Sequence, residues 1–252
     1  MAATQNPIAR LEQARFNMIE QQIRPWDVLD PGILELLALV KREQFVPLAH
    51  QGLAFVDMEI PLLGSEEEAM RKGHCMLSPK VEARLLQDLK LTPSDRVLEI
   101  GAGSGYMAAL LAHRAARVIT LEIEPQLARM ARDNLQRAGI ANAEVREADG
   151  ASAVATEGPF DAIVLSGSVA EVPHRLLEQL KVGGRLAAIV GMVQPLVLYL
   201  RRIQPSSKYH FGNSSASRVV ISSGVYDLER RHQLRAGACA RCPVPGLAGS
   251  RR

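Results

Sequence analysis

The sequence predicts an α/β fold, a doubly wound, mostly parallel sheet with an N-terminal helical extension. Three observations carry this. Between about residues 92 and 192, short apolar runs alternate with amphipathic stretches, the order that sets crossover helices between parallel strands. One run, FDAIVLS at 160–166, is apolar without interruption, as expected of a central strand buried on both faces. Before residue 90, helix spacing and helix punctuation dominate instead.

In chain order, LEQARFNMIEQQI sets Leu11, Phe16, Ile19 and Ile23 near helical spacing, and Pro25 is expected to stop that helix. Asp30-Pro31 pairs a good N-cap with a proline suited to the first helical position, and Ile33, Leu36, Leu37 and Val40 form the apolar stripe behind it. Pro79 opens a third helix, PKVEARLLQDL, with Ser78 at its N-cap. The alternating region reads as strand RVLEI (96–100), a helix from Ser104 to His113, strand RVITLEI (117–123), and a helix from Pro125 to about Arg137. Strand AEVREA (143–148), FDAIVLS, a helix from Pro173 to Gly183-Gly184, and strand GRLAAIVG (184–191) follow. Beyond Pro195, LVLYLRRI and SRVVISSGVYDL read as strands, whereas the Arg-, Ala-, Gly- and Pro-rich sequence after Leu228 has no periodicity and is expected to be disordered. The expected organisation is therefore a helical and loop segment over 1–90, a ligand-binding core over 91–204, and a divergent basic tail over 205–252.

Composition fits this plan. At 252 residues, 47% hydrophobic and 23% charged, the chain can bury its own core without disulfide or metal staples, and with 4% aromatics that core is mostly aliphatic. No run of 18 apolar residues suggests a membrane span, and the first residues lack an apolar signal core, so the cytoplasm is the expected compartment. Cys75, Cys239 and Cys242 are too few for a disulfide framework, and the lone C-x-x-C has no second ligand pair, so no metal site is expected. Residues 201–252 carry a net charge of +8 against −5 for the rest. A solvated end explains that asymmetry more simply than a nucleic-acid partner does.

The chemistry concentrates in VLEIGAGSGYMAALLA, residues 97–112, where a strand runs into Gly101-Ala102-Gly103-Ser104-Gly105 and a helix leaves. Such a turn brings backbone N–H groups close to a ligand. Glu122 closes the next strand, with Ile123 after it, and can accept hydrogen bonds from both hydroxyls of a ribose. Asp149, followed by Gly150, closes the third and can accept from an adenine amino group. Three strand ends thus line one sheet edge with groups suited to an adenosyl ligand. Tyr106 replaces the third glycine of the G-x-G-x-x-G pattern, which disfavours a dinucleotide.

The stretch from Glu99 to Gly105, E-x-G-x-G-x-G, resembles the first motif of S-adenosylmethionine-dependent methyltransferases and so implies a Rossmann-like core. Glu99 would orient the loop or sit near the amino-acid end of the cofactor. The same run, together with KREQFVP, AFVDMEIPL, VITLEIEPQLARMARDNL, EADG and FDAIVLSGSVAEVPHRLLEQLKVGGRLAAIVG, is similar in content and order to the protein-L-isoaspartate O-methyltransferase family over about residues 10–195. That resemblance implies S-adenosyl-L-methionine as cofactor, with Glu99, Gly101, Ala102, Gly103, Glu122, Ile123, Asp149 and Gly150 around it. It also implies methyl transfer to the free α-carboxylate of isoaspartyl residues in damaged proteins or peptides. A carboxylate with a pKa of roughly 3.5–4 is already ionised at neutral pH, so the site needs to desolvate and aim it rather than deprotonate it.

The resemblance departs at the acceptor loop. The family's Gly-Gln-Thr-Ile-Ser-Gln-Pro stretch aligns with Gly73-His74-Cys75-Met76-Leu77-Ser78-Pro79, so the family's acceptor-site serine falls on Leu77. Either Ser78 takes over that catalytic position through a local shift, or Ser78 is only a helix cap and the acceptor differs. Asp57 either helps build this site or caps a turn, and Arg24 and Trp26 read as surface and packing residues. Two further readings stay open: a methyltransferase for another acceptor, and a cofactor-binding protein without catalysis. Ser166-Gly167-Ser168 stands where base-methylating enzymes carry an Asn/Asp-Pro-Pro-Tyr-type loop, which counts against a nucleic-acid acceptor.

Overall fold

Residues 7–150, 152, 157–190, 196–202 and 216–221 are described in a computed structural model of the chain. The N-terminal extension begins with α1 (Pro7–Met18), which passes into a π turn over Ile19–Ile23 and a 3-10 turn over Arg24–Trp26. Pro25 therefore sits inside the last turn of this unit instead of ending it, and the chain leaves through Asp27 in the left-handed region (φ 61°). Asp30 caps α2 (Pro31–Leu39) as the sequence implies, its carboxylate accepting from the N–H groups of Gly32 and Ile33 at 2.9 and 3.3 Å.

A small antiparallel pair, β1 (Ile60–Pro61) with β2 (Cys75–Met76), encloses α3 (Glu66–Lys72). The Ser65 hydroxyl accepts from the Glu68 N–H at 3.2 Å, three glutamates occupy the first turn, Arg71 and Lys72 the last, and Gly73 ends the helix at φ 71°. The unusual charge of this stretch is thus a helix written in capping and dipole signals. After it comes α4 (Pro79–Leu89).

The main sheet is built from β3 (Arg96–Ile100), β4 (Arg117–Glu122), β5 (Ala143–Glu147), β6 (Phe160–Val169), β7 (Leu180–Val190), β8 (Leu196–Arg202) and β9 (Ala216–Ile221). Helices α5 (Tyr106–Ala112), α6 (Pro125–Arg137) and α7 (His174–Glu178) cross between its strands. The spatial order is β5-β4-β3-β6-β7-β8-β9, with parallel pairing from β5 to β7 and antiparallel pairing of β8 and β9. The chain reverses direction across the sheet between β3 and β6, which makes the carboxyl end of β3 the topological switch point where such folds bind ligands.

Alternation along the strands divides the core into two. Val97, Val118, Ala162, Val164, Ala187 and Ile189 face a large cluster shared with α4, α5, α6 and the N-terminal helices. Leu98, Ile119, Ile163, Leu165, Leu186 and Ala188 face a smaller one closed by Leu176 of α7 with Phe160 and Leu180. The sequence places a helix from Pro173 to Gly183, yet α7 stops at Glu178 and β7 begins at Leu180, opposite Phe160. Leu180 is drawn into the smaller core, and the Phe160 N–H donates to the Gln179 carbonyl at 2.7 Å. Gly183 and Gly184 mark an irregularity within the strand, where the register shifts between Phe160 and Ala162.

These elements belong to one compact unit ending at Ile221. The expected disorder after Leu228 and Cys239 with Cys242 lie outside the described residues, as does the basic tail apart from β9. Among the described residues no helix is long and apolar enough to cross a membrane, and no His, Cys, Asp and Glu cluster suited to a metal occurs.

Candidate active site

The loop that leaves β3 turns at Gly101, whose φ of 91° disfavours any L side chain. From there the loop lies against β6, where a Cβ on Gly101 would meet the Ser166 carbonyl oxygen at 3.5 Å. Ala102 is buried beneath it. The Gly103 N–H donates to Glu122 Oε2 at 2.9 Å, and Glu122 Oε1 accepts from the Glu124 N–H at 3.0 Å. This nearly buried carboxylate therefore ties the end of β4 to the glycine loop. The next side chain, Ile123, is 66% exposed, an apolar surface held in solvent beside the loop.

Asp149 lies two residues beyond β5, exposed, and accepts a hydrogen bond from the Ser152 hydroxyl at 2.8 Å. Gly150 packs so tightly that a Cβ there would sit 2.4 Å from Ile100 Cγ2, so its lack of a side chain brings the end of β5 against the end of β3. Glu99 is fully buried, opposite Thr120 in the β3–β4 register. Its Oε1 accepts from the Ser166 hydroxyl at 2.6 Å, while Oε2 has no hydrogen-bond partner. Burial pushes the Glu99 carboxyl up to about 8, the charges of Glu82 and Glu122 add to that, and the Ser166 and Thr120 hydroxyls oppose it. The structure thus gathers all eight of the sequence-predicted cofactor residues at the ends of β3, β4 and β5.

The acceptor loop approaches from the other side. β2 runs into Leu77 and then Ser78, and a small cavity, room for about one water, separates Cys75, Met76 and Leu77 from Glu99 and the glycine loop. Ser78 does not line that cavity. It has the extended backbone of an N-cap (φ −63°, ψ 146°), and its carbonyl accepts from Val81 and Glu82. Its side chain, although buried, makes no capping hydrogen bond. Cys75 is half-buried, and its thiol is pushed up to about 11, by burial first and then by Glu59 and Glu66, so it is not a ready nucleophile. Asp57 pairs with Lys80 at 2.5 Å, and the Lys80 ammonium sits 3.7 Å over the Trp26 ring, so Asp57 and Trp26 brace the first turn of α4. Arg24 pairs with Glu20 on the surface.

Three residues that the sequence reading left without a role complete the site. Arg42, inside KREQFVP, is fully buried and pairs with Glu82 of α4. Burial raises the Glu82 carboxyl to about 7 against the lowering effect of Arg42. Tyr106, at the start of α5, meets Phe45 edge-on with ring centroids 5.4 Å apart, and the Arg42 guanidinium lies 5.3 Å from its ring centroid. The tyrosine that replaces a dinucleotide fold's third glycine is therefore where the N-terminal extension docks on the core. Aromatic and cationic residues spaced within KREQFVP were the only signal of this in the sequence.

Comparisons with known proteins agree with this architecture. Residues 13–216 match the family model described as protein-L-isoaspartate(D-aspartate) O-methyltransferase. A protein-L-isoaspartate O-methyltransferase of Methanoculleus marisnigri is 39% identical over 190 residues, covering 75% of this chain and 83% of the relative. One from Koribacter versatilis is 36% identical over 190 residues, covering 75% and 82%. A solved protein-L-isoaspartate O-methyltransferase superposes with a TM-score of 0.61 at 25% identity, covering 77% of this chain and 60% of that one. A Plasmodium falciparum structure described as such an enzyme, in complex with S-adenosyl-L-homocysteine, superposes with a TM-score of 0.63 at 19% identity, covering 84% and 95%, and shares the fold. With the match running from α1 to the start of β9, through the glycine loop and the acceptor loop alike, the chain belongs to the protein-L-isoaspartate(D-aspartate) O-methyltransferase family.

Proposed function

We propose that this chain is a protein-L-isoaspartate O-methyltransferase that esterifies the free α-carboxylate of isoaspartyl residues in damaged proteins or peptides, using S-adenosyl-L-methionine as methyl donor. The observation that carries this reading is the family match over residues 13–216, which includes both halves of the site. The residues present suit the donor. Gly101 turns the loop at a φ of 91°, Gly150 lets the end of β5 pack against Ile100, and Glu99 keeps an unpaired buried oxygen next to the glycine loop. Exposed Ile123 offers an apolar cover for a flat ring. Glu122 would hold the ribose hydroxyls, Asp149 the adenine amino group, and Glu99 the ammonium of the amino-acid end. When bound, the donor supplies an electrophilic methyl group on a sulfonium.

The chain's own part is binding, orientation and the exclusion of water. An ionised carboxylate needs no general base, and within the small cavity no imidazole or amine stands where one would act. Ser78 would direct the acceptor: its hydroxyl is not spent on capping α4, and the positive end of that helix favours a carboxylate. The cytoplasm is the proposed compartment.

The test is methyl transfer from labelled S-adenosylmethionine to a synthetic L-isoaspartyl peptide, with the matching aspartyl peptide as control. Transfer to the isoaspartyl peptide alone supports the reading. Donor binding without transfer to that peptide overturns it, and transfer to both peptides overturns the specificity.

A further inference from the structure

We propose that Arg42 is a positioning residue for the acceptor: it holds the Leu77–Ser78 peptide in place and so aims Ser78 from behind. The proposal rests on the reading of Ser78 given above. Arg42 uses its guanidinium in four directions. Nε donates to the Ala54 carbonyl at 3.0 Å, Nη2 donates to the Leu77 carbonyl at 2.8 Å, Nη1 pairs with the Glu82 carboxylate, and the planar face lies 5.3 Å from the Tyr106 ring centroid. One fully buried side chain thus joins the segment after α2, the acceptor loop, α4 and α5.

The contact to Leu77 is the one that matters for the acceptor. A trans peptide is planar, so pulling the Leu77 carbonyl inward turns the Ser78 N–H to the opposite side and fixes where the Ser78 side chain begins. Glu82 contributes twice. Its carboxylate neutralises Arg42 in the interior, and its N–H bonds to the Ser78 carbonyl at 3.2 Å, so both ends of Ser78 are tied to the same ion pair. The fork geometry explains why arginine is needed. A lysine carries the charge but cannot reach Ala54, Leu77 and Glu82 together in one plane. The shift of the serine by one place, from Leu77 to Ser78, makes this carbonyl the last fixed point before the proposed acceptor group.

Arg42→Lys, with Glu82→Gln as a second variant, tests this in the full chain through three readouts: donor affinity, KM and kcat for an isoaspartyl peptide, and amide hydrogen exchange across residues 73–78. Arg42→Lys should leave the Kd for S-adenosylmethionine within about a factor of two. It should lower kcat/KM for the peptide by roughly tenfold or more, mainly through KM. Exchange at 73–78 should speed up while β3 and β4 keep their protection. Glu82→Gln, which retains an acceptor for Arg42 without the charge, should show the same pattern more weakly. Unchanged exchange at 73–78 in Arg42→Lys overturns the proposal, as does a uniform rise that includes β3 and β4, which would mark a purely structural role. Should the wild-type chain transfer no methyl group to the peptide, the reading of the function falls, and the exchange data still decide whether Arg42 orders the loop.

Discussion

The two sides of the site are built in opposite ways. On the donor side, Gly101, Gly103, Glu122 and Gly150 sit at successive strand ends and are fixed by short-range geometry: a positive φ, an N–H on a carboxylate, a close approach to Ile100. On the acceptor side, Leu77 and Ser78 belong to a loop with a two-residue strand pair, held by a buried arginine some 35 positions away in sequence. The donor side is set by backbone geometry local to each strand end. The acceptor side is ordered by one polar network, and it is there that Leu77 falls on the position of the family's loop serine. A site divided like this can change its acceptor without disturbing its cofactor.

That contrast predicts a hierarchy of effects. The largest belongs to Gly101→Val, which forces a β-branched side chain into a φ of 91° at a backbone cost of about 1–3 kcal/mol. Donor affinity should fall by roughly two orders of magnitude, with activity following it, as titration calorimetry and the transfer assay would report. Retained donor binding would break the claim that loop geometry makes the donor side. Next, Glu122→Ala removes the acceptor for the Gly103 and Glu124 N–H groups. A lost charged hydrogen bond is worth about 1.5–3 kcal/mol, so donor affinity should weaken about tenfold or more. Unchanged affinity would show that this carboxylate only braces the loop.

A smaller effect concerns pH. In the folded chain Glu99 lies near 8, above the 4.5 of an unperturbed glutamate, so it holds its proton where the unfolded chain has released it. Its contribution to stability is full below about 4.5 and is lost as pH rises through about 8. Thermal unfolding should therefore show a Tm that declines from pH 5 to 8, less steeply in Glu99→Gln. The same titration should make donor binding tighter towards pH 8, because the ionised form is the one that pairs with an ammonium, and Glu99→Gln should abolish that trend. A binding profile unaltered by the substitution would remove Glu99 from the donor side.

The same contrast explains what could be read from the sequence. RVLEIGAGSG, Glu122 and Asp149 were legible because each is a local rule: a strand run, a glycine turn, an acid at a strand end. Helix α3 carries equally local signals, Ser65, three glutamates, Arg71-Lys72 and Gly73, but at seven residues, mostly charged, it lacks the apolar stripe by which the other helices are read. The overlong helix after Pro173 failed differently. Leu180 looks helical in sequence, but pairing with Phe160 across the sheet decides its state. Arg42 was invisible because its meaning depends on Ala54, Leu77, Glu82 and Tyr106, which only the fold brings together.

Ser78→Ala tests the division of the site most directly, with donor Kd and kcat/KM for the isoaspartyl peptide measured on the same preparation. Because the hydroxyl makes no capping bond, little stability should be lost. The donor Kd should stay within about a factor of two of wild type and kcat/KM should fall about tenfold, the size of one lost hydrogen bond to a charged group. Full transfer activity in Ser78→Ala would contradict this division, since the acceptor would then be held by something other than Ser78.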